Sequence, residues 1–110
     1  MQLQRQIRKG STPVLILSLL AEQPMYGYQI VKELEARSSG YFRFKEGTLY
    51  PVFYRLEDAG FIEARWETQG RGKPRKYYSL TGEGAFHLEE LMKEWKDFVR
   101  VVSTLLESEE

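Results

Sequence analysis

The segment GRGKPRKYYSLT, residues 70–81, holds the densest cluster of basic side chains in the chain. Two glycines and a proline are interleaved with four cations, which are Arg71, Lys73, Arg75 and Lys76. Because glycine permits tight turning and proline restricts the backbone, this composition predicts a hairpin tip that holds its charges away from the body of the protein. Such a tip would contact the phosphates of a nucleic acid. The alternative is a solvated loop that keeps a sheet edge from aggregating.

This cluster belongs to a wider segregation of charge, although 16 basic and 16 acidic residues give a net charge of zero. Residues 63–80 carry five cations and two acids, and residues 1–10 carry three cations. Residues 81–110 carry eight acids and three cations. A nucleic-acid partner is therefore indicated by the distribution of charge and not by its sum.

Length and composition restrict the class of protein. A chain of 110 residues is long enough for one domain with a modest core. No apolar run approaches the roughly 20 residues of a membrane span, and the basic first ten residues lack the apolar segment of a secretion signal. We therefore expect a cytoplasmic protein without a membrane partner. The absence of cysteine excludes disulfides and thiolate metal sites, and we expect neither a metal nor a cofactor.

The residues that an enzyme would need are missing or badly placed. His87 is the single histidine, and the helical period places it on the polar side of the last predicted helix as a solvated side chain. The segment GRGKP has the wrong length and context for a phosphate-binding loop before a helix. The acidic pair Glu89 and Glu90 is typical of a solvated helix face. The sequence thus favours a protein that is not an enzyme.

Helical patterns precede the basic cluster. Thr12 is a natural N-cap and Pro13 suits the first helical position, which predicts a buried helix that closes before Pro24. The basic arm before Thr12 is then either a separate helical turn or a loose segment, and its role stays open. The segment YGYQIVKELEAR, residues 26–37, is amphipathic with a helical period and predicts the second helix.

The third predicted helix lies in TLYPVFYRLEDAG, residues 48–60, and ends at Gly60 as a left-handed cap. Its apolar side chains recur at helical spacing and face the core, namely Leu49, Val52, Phe53 and Leu56. The side chains left outside are hydroxyl donors and cations that suit phosphates and base edges: Lys45, Thr48, Tyr50, Tyr54 and Arg55. Either tyrosine could instead be half-buried packing. Glu46 and Glu57 would repel phosphate, so we expect them to sit aside or cap.

The period then changes to that of strands. FIEARWETQ and RKYYSLT flank the glycine-containing turn and predict a β-hairpin, after which Thr81 caps a last helix. Apolar residues recur along this helix at steps of four and three, and others widen the stripe to nine residues. This stripe predicts a dimer interface formed by Leu88, Leu91, Met92, Trp95, Phe98, Val99, Val102, Leu105 and Leu106.

The order of elements is three helices, a hairpin and a long helix. This order predicts a mainly α fold with a small β-hairpin, namely a winged helix-turn-helix whose third helix enters the major groove. Residues 1–80 would form the DNA-binding part with its N-terminal arm, and residues 81–110 the dimerisation helix. Together they would make one structural domain.

Three separated segments, PMYGYQI, EGTLYPVFYRLEDAGFI and GKPRKYYSLTGEG, resemble the PadR family of bacterial transcriptional regulators. The likeness runs from Thr12 to about Leu106, and the single C-terminal helix is similar to the shorter subclass. The resemblance implies a homodimeric winged-helix repressor with Thr48, Tyr50 and the basic tip at double-stranded DNA. The start TPVLIL departs from the longer first helix that the family implies.

The resemblance also implies an effector site. Some short members bind flat aromatic molecules against a tryptophan on the last helix, and Trp95 stands where that tryptophan would be. A planar hydrophobic or aromatic small molecule would then bind between subunits at Met92, Trp95 and Val99. The alternative is that Trp95 simply fills the interface. A second alternative for the whole chain is a winged-helix protein-interaction module without an effector.

Overall fold

The computed structural model describes residues 2–68 and 70–107, with side chains from residue 8 onward. The predicted order of three helices, a hairpin and a long helix is confirmed. The elements are α1 (Gln2–Leu20), β1 (Met25–Tyr26), α2 (Gly27–Arg37), α3 (Glu46–Asp58), β2 (Ile62–Glu67), β3 (Arg75–Leu80) and α4 (Gly82–Glu107).

The first helix is longer than the sequence indicated. It runs without interruption from Gln2 to Leu20, so Thr12 is not its N-cap and Pro13 lies in its interior. Proline lacks the N–H that would bond to the carbonyl four residues earlier, which usually weakens a helix. Here the neighbouring hydroxyl of Thr12 donates to the carbonyl of Arg8 at 2.6 Å, and the apolar face of the second half is buried in the core. The basic arm is therefore the first half of a continuous helix.

A single core joins the second half of α1 to α2, α3, the sheet and the start of α4. The ring of Phe53 on α3 lies 4.7 Å from that of Tyr78 on β3, centroid to centroid. This contact fixes the third helix against the sheet. The largest fully buried side chains are Ile16, Leu17, Met25, Ile30, Leu49, Phe53 and Ile62.

The sheet has three antiparallel strands in the order β1, β3, β2, one strand more than predicted. In the hairpin, the register runs from Ile62 opposite Leu80 to Glu67 opposite Arg75. The additional strand β1 contributes two residues only, and Tyr26 pairs with Tyr77. Since β1 leads directly into α2, it fastens the base of the hairpin to the helices.

The junction between α3, β2 and α4 is closely packed. Gly60 adopts a φ of +86° after α3, as predicted for a left-handed cap. The predicted Thr81 cap is also confirmed, because its hydroxyl accepts from the N–H of Gly84 at 2.9 Å and donates to the carbonyl of Gly60 at 2.7 Å. A Cβ atom at Gly84 would collide with the carbonyl oxygen of Phe61. The first turn of α4 thus sits directly on the turn that follows α3.

His87 belongs to the same junction, contrary to the solvated position expected for it. Its ring is partly buried and stacks on the ring of Phe61, with centroids 4.0 Å apart and an interplanar angle of 12°. The helical period predicts where His87 lies along α4. It cannot predict that the ring of Phe61, which lies outside this helix, covers the histidine.

Candidate nucleic-acid interface

The outer side of α3 carries the side chains that the sequence assigned to it. Lys45, Thr48 and Arg55 are exposed, and the buried Leu49 and Phe53 hold the opposite side of the helix in the core. The two tyrosines are not packing residues, because their exposed fractions are large. They are 48% for Tyr50 and 68% for Tyr54. All five predicted side chains are therefore available to a partner.

Two of the three acids of this helix, Glu46 and Glu57, are engaged within the protein, and the third, Asp58, is exposed at its end. The hydroxyl of Tyr50 donates to the carboxylate of Glu46 at 2.8 Å, and this hydrogen bond raises the pKa of Tyr50 above its usual value. The single O–H of Tyr50 is therefore used within the protein, and its oxygen remains available as an acceptor. The carboxylate of Glu57 lies 3.7 Å from the Nζ of Lys76 on β3. Both carboxylates thus have a donor nearby within the protein.

The hairpin tip, which we call the wing, divides its four cations into two pairs. Arg71 and Lys73 lie in the exposed turn, and neither forms an ion pair with the described residues. Arg75 instead stacks its guanidinium over the ring of Tyr26, 4.5 Å from the centroid. Lys76 lies between the Glu57 carboxylate and the Tyr78 ring, 5.6 Å from the ring centroid. One pair projects from the protein, and the other holds the wing to it.

A groove of about 370 Å³ separates the wing from the start of α3. Sequence reasoning missed Trp66, which lines this groove and is 66% exposed. In the hairpin it stands opposite Lys76, on the same face as the buried Ile62. Because side chains alternate between the two faces of a strand, the spacing of Ile62 and Trp66 could have predicted that Trp66 lies on the side of the sheet that faces α3. The other side chains of the groove include Tyr26, Glu46, Tyr50 and Pro74.

A larger cleft of about 600 Å³ lies against the other flank of α3. Three predicted residues, Lys45, Thr48 and Arg55, form one wall of it. The opposite wall contains cations that sequence reasoning did not assign to a site: Arg8, Lys9 and Arg43. The continuous first helix places two of them there, which the predicted break at Thr12 had concealed.

The predicted dimer stripe on α4 separates into a covered and an uncovered part. Leu88 is buried in its own chain at 7% exposure, and Leu91 and Trp95 pack partly against the same core. Farther along the helix Val102 is half-buried, but large side chains stand in solvent. They are Met92 (38% exposed), Phe98 (59%), Val99 (53%), Leu105 (65%) and Leu106 (73%).

The predicted effector residues do not form one cavity within a single chain. Trp95 packs edge to face with Phe98, with ring centroids 5.7 Å apart. These two residues and Glu94 line a depression of about 300 Å³, which Met92 and Val99 do not line. A cavity that includes all three predicted residues would need a second chain.

The described residues offer neither a metal site nor a membrane span. No three histidine, cysteine, aspartate or glutamate side chains come together as metal ligands would within residues 2–68 and 70–107. Over the same ranges, none of the helices has the length and hydropathy of a membrane span.

Comparison with known proteins agrees with this geometry. Residues 16–90 match the transcriptional regulator PadR-like family. The chain is 40% identical over 101 residues to an uncharacterized protein of Lysinibacillus sphaericus. The alignment covers 92% of this chain and 93% of that protein. It is 32% identical over 75 residues to the negative transcriptional regulator PadR of Bacillus subtilis strain 168, covering 68% of this chain and 41% of that longer protein.

Solved structures give the same result over nearly the whole chain. The crystal structure of a PadR family transcriptional regulator from Eggerthella lenta DSM 2243 superposes with a TM-score of 0.81 at 38% identity. The superposition covers 93% of this chain and 87% of that one. The chain therefore belongs to the PadR-like family of transcriptional regulators, and it is a DNA-binding regulator and not an enzyme.

Proposed function

We propose that the chain is a sequence-specific transcriptional repressor that binds operator DNA as a homodimer through α3 and the wing. The observation that carries the proposal is the combination of exposed hydroxyls and cations on α3 with the free cations of the wing tip. The neighbouring acids Glu46 and Glu57 each contact a donor within the protein. The Bacillus subtilis relative, a negative regulator, supports repression as the outcome. Binding to bacterial operator DNA would place the protein in the cytoplasm.

The exposed side chains suit different parts of a DNA duplex. The major groove admits a helix such as α3, where Thr48 and Tyr54 would donate to base edges or phosphates. The Tyr50 hydroxyl already donates to Glu46, so its oxygen would accept. Arg55 would pair with guanine or with phosphate. Arg71 and Lys73 would contact the phosphate backbone. Arg75 and Lys76 would keep the wing in place through Tyr26 and Glu57 and contribute to the positive potential there.

The uncovered part of the α4 stripe supports dimerisation by a second copy of the chain. Five large apolar side chains exposed on one helix make a patch that soluble proteins usually cover. Pairing of two such helices around a two-fold axis would bury these residues against their equivalents. The two copies of α3 would then read half-sites about 34 Å apart, one helical turn of DNA.

An effector would bind between the two copies against Trp95. The depression beside Trp95 and Phe98 is open in one chain, and Met92 and Val99 lie on the adjacent exposed surface. The broad indole face and the adaptable thioether suit a planar hydrophobic or aromatic molecule. By preferring one arrangement of the subunits, such a ligand would change the separation of the two α3 helices and release the DNA.

The test is fluorescence anisotropy with labelled DNA from upstream of the chain's own gene. We expect saturable binding that a mixed-sequence competitor of equal length displaces only at much higher concentration. Binding to both DNAs with equal affinity would contradict sequence-specific regulation. Absence of binding to either DNA would support the protein-interaction module instead.

A further inference from the structure

The cleft on the other flank of α3 is lined by five cations from three parts of the chain. They come from the first half of α1, from the loop before α3 and from α3 itself: Arg8, Lys9, Arg43, Lys45 and Arg55. No carboxylate is among its lining residues, which otherwise include Thr12, Thr48 and an apolar floor. In a chain of zero net charge, a concave surface with cations only attracts an anionic partner.

Several basic residues elsewhere in the protein are paired with carboxylates. Arg37 contacts two carboxylates at 2.7 and 2.8 Å, and Arg65 and Arg100 each contact one. In the cleft, Arg8 donates to the backbone carbonyl of Tyr41 at 3.3 Å, and its guanidinium lies 5.9 Å from the centroid of the Tyr41 ring. Across the described part of the chain, none of the other four cleft cations forms an ion pair.

The cleft and the wing lie on opposite sides of α3. Successive residues of an α-helix are rotated by about 100°, so Arg55 is displaced by about 180° from Glu46. Glu46 and Tyr50 line the groove beside the wing, whereas Thr48 and Arg55 line the cleft. A helix in the major groove has one sugar-phosphate backbone on each side, since the groove is about 12 Å wide. The wing can serve only one of them.

We propose that this cleft binds phosphates of the backbone that borders the major groove on the side away from the wing. Arg8, Lys9 and Arg43 are then DNA contacts, and the first half of α1 has a function. The inference rests on the proposed function of α3, because DNA read by α3 passes over the Lys45, Thr48 and Arg55 wall of the cleft.

The continuity of α1 is what makes this contact effective. Arg8 and Lys9 precede Gly10 and Pro13, where the sequence favours a break, yet the helix continues into the buried core. Cations on a helix fixed to the core lose less freedom on binding than cations on a loose arm. The cations that α1 contributes to the cleft are therefore held in place before DNA binds.

The experiment measures binding of a labelled mixed-sequence duplex over a salt series, because phosphate contacts supply most non-specific binding. The test variant is Lys9→Gln/Arg43→Gln. The matched control is Lys93→Gln/Arg100→Gln, which removes the same charge from the exposed side of α4 opposite the apolar stripe. Circular dichroism and sedimentation verify that both variants keep the fold and the assembly of the wild type.

Each phosphate contact contributes roughly 0.9 to the slope of log K against log salt. The loss of two contacts from each subunit of a dimer should lower the magnitude of the slope by roughly 3 to 4. The control variant should lower it by less than roughly 1. A test variant with the slope of its control would overturn the cleft assignment and leave the proposed function intact. Wild-type protein that binds no duplex at low salt would overturn both.

A second measurement assigns the contact to a side of the groove. On an operator, hydroxyl-radical footprints of the test variant should lose protection on the backbone across the major groove from the one affected by Arg71→Gln/Lys73→Gln. Loss of protection on the same backbone in both variants would contradict the opposed arrangement of cleft and wing.

Discussion

The guanidinium of Arg75 lies over the ring of Tyr26, 4.5 Å from its centroid, and joins the wing to the residue that immediately precedes α2. The rings of Tyr26 and Tyr77 pack edge to face beside this contact, with centroids 5.4 Å apart. The base of the wing is therefore held by β1 and by aromatic contacts, while Arg71 and Lys73 extend beyond it.

Tyr26→Leu should destabilise the protein by about 0.5 to 1 kcal/mol through loss of the cation–π contact. Tyr26→Phe keeps the ring and should be close to wild type. Urea denaturation followed by circular dichroism compares the three proteins. Equal losses in the Leu and Phe variants would show that the hydroxyl, and not the ring beneath Arg75, provides the stabilisation.

Leu106→Glu and Val99→Glu should each convert the proposed dimer to a monomer, because a carboxylate would be buried among apolar side chains. Thr104→Glu places the same charge on the opposite side of α4 and should leave the dimer intact. Sedimentation velocity at micromolar concentration measures the outcome. A folded, monodisperse wild-type monomer under these conditions would refute dimerisation through the stripe.

Trp95→Ala should abolish fluorescence quenching by planar cationic dyes and leave operator binding largely unchanged. The chain contains two tryptophans, so the titration is done in a Trp66→Phe background, where Trp95 is the single reporter before it is replaced. Because the Trp66→Phe/Trp95→Ala variant contains no tryptophan, dye binding to it is followed by the anisotropy of the dye, which should stay at the value of the free dye. If no dye quenches Trp95 and Trp95→Ala dissociates the dimer, this tryptophan is structural and the effector does not bind there.

Gly84→Ala should cost about 1 to 3 kcal/mol of stability, since its Cβ would meet the backbone carbonyl of Phe61, which cannot turn away as a side chain could. Gly82→Ala is the matched control, because a Cβ there has no neighbour within 4 Å. Thermal unfolding distinguishes the two. Similar melting temperatures for both variants would mean that the junction between α3, β2 and α4 adjusts to the added methyl group without a loss of stability.

Stability should fall in alkaline solution through Tyr78, which is 2% exposed. Burial, with a further contribution from the Glu57 carboxylate, raises the pKa of Tyr78 from 10.0 to about 12. Between these values the unfolded chain has released the proton that the folded chain retains, so this contribution is complete below pH 10 and lost towards pH 12. Tyr78→Phe should flatten the decline, and the exposed Tyr54→Phe should not. Identical profiles for Tyr78→Phe and wild type would exclude Tyr78 as its source.

Features that depend on local pattern could be predicted from the sequence. The helical period identified α2, α3 and α4, and the caps at Gly60 and Thr81 follow from residue types that favour those backbone positions. The exposed side of α3 followed in turn, because its buried residues recur at helical spacing.

Features that depend on distant contacts could not be predicted. The pair Thr12 and Pro13 is a strong local start signal, yet packing of the second half of α1 and one hydroxyl hydrogen bond outweigh it. Strand β1, with two residues, is too short to show a period. The engagement of Arg75 and Lys76 depends on Tyr26 and Glu57, which are remote in sequence. The sequence therefore predicted the basic cluster. It did not predict that Arg75 and Lys76 contact the protein while Arg71 and Lys73 extend into solvent.

The contact between the first turn of α4 and the turn after α3 limits how far α4 can tilt relative to the rest of the chain. With 26 residues, α4 is a lever roughly 39 Å long whose fixed end is the contact between Gly84 and Phe61. A tilt of about 5° at that end displaces the far end by roughly 3 Å, close to the rise of one base pair along DNA. In the proposed dimer, a glycine without space for one methyl group would thus limit how far the two halves of an operator can differ in spacing.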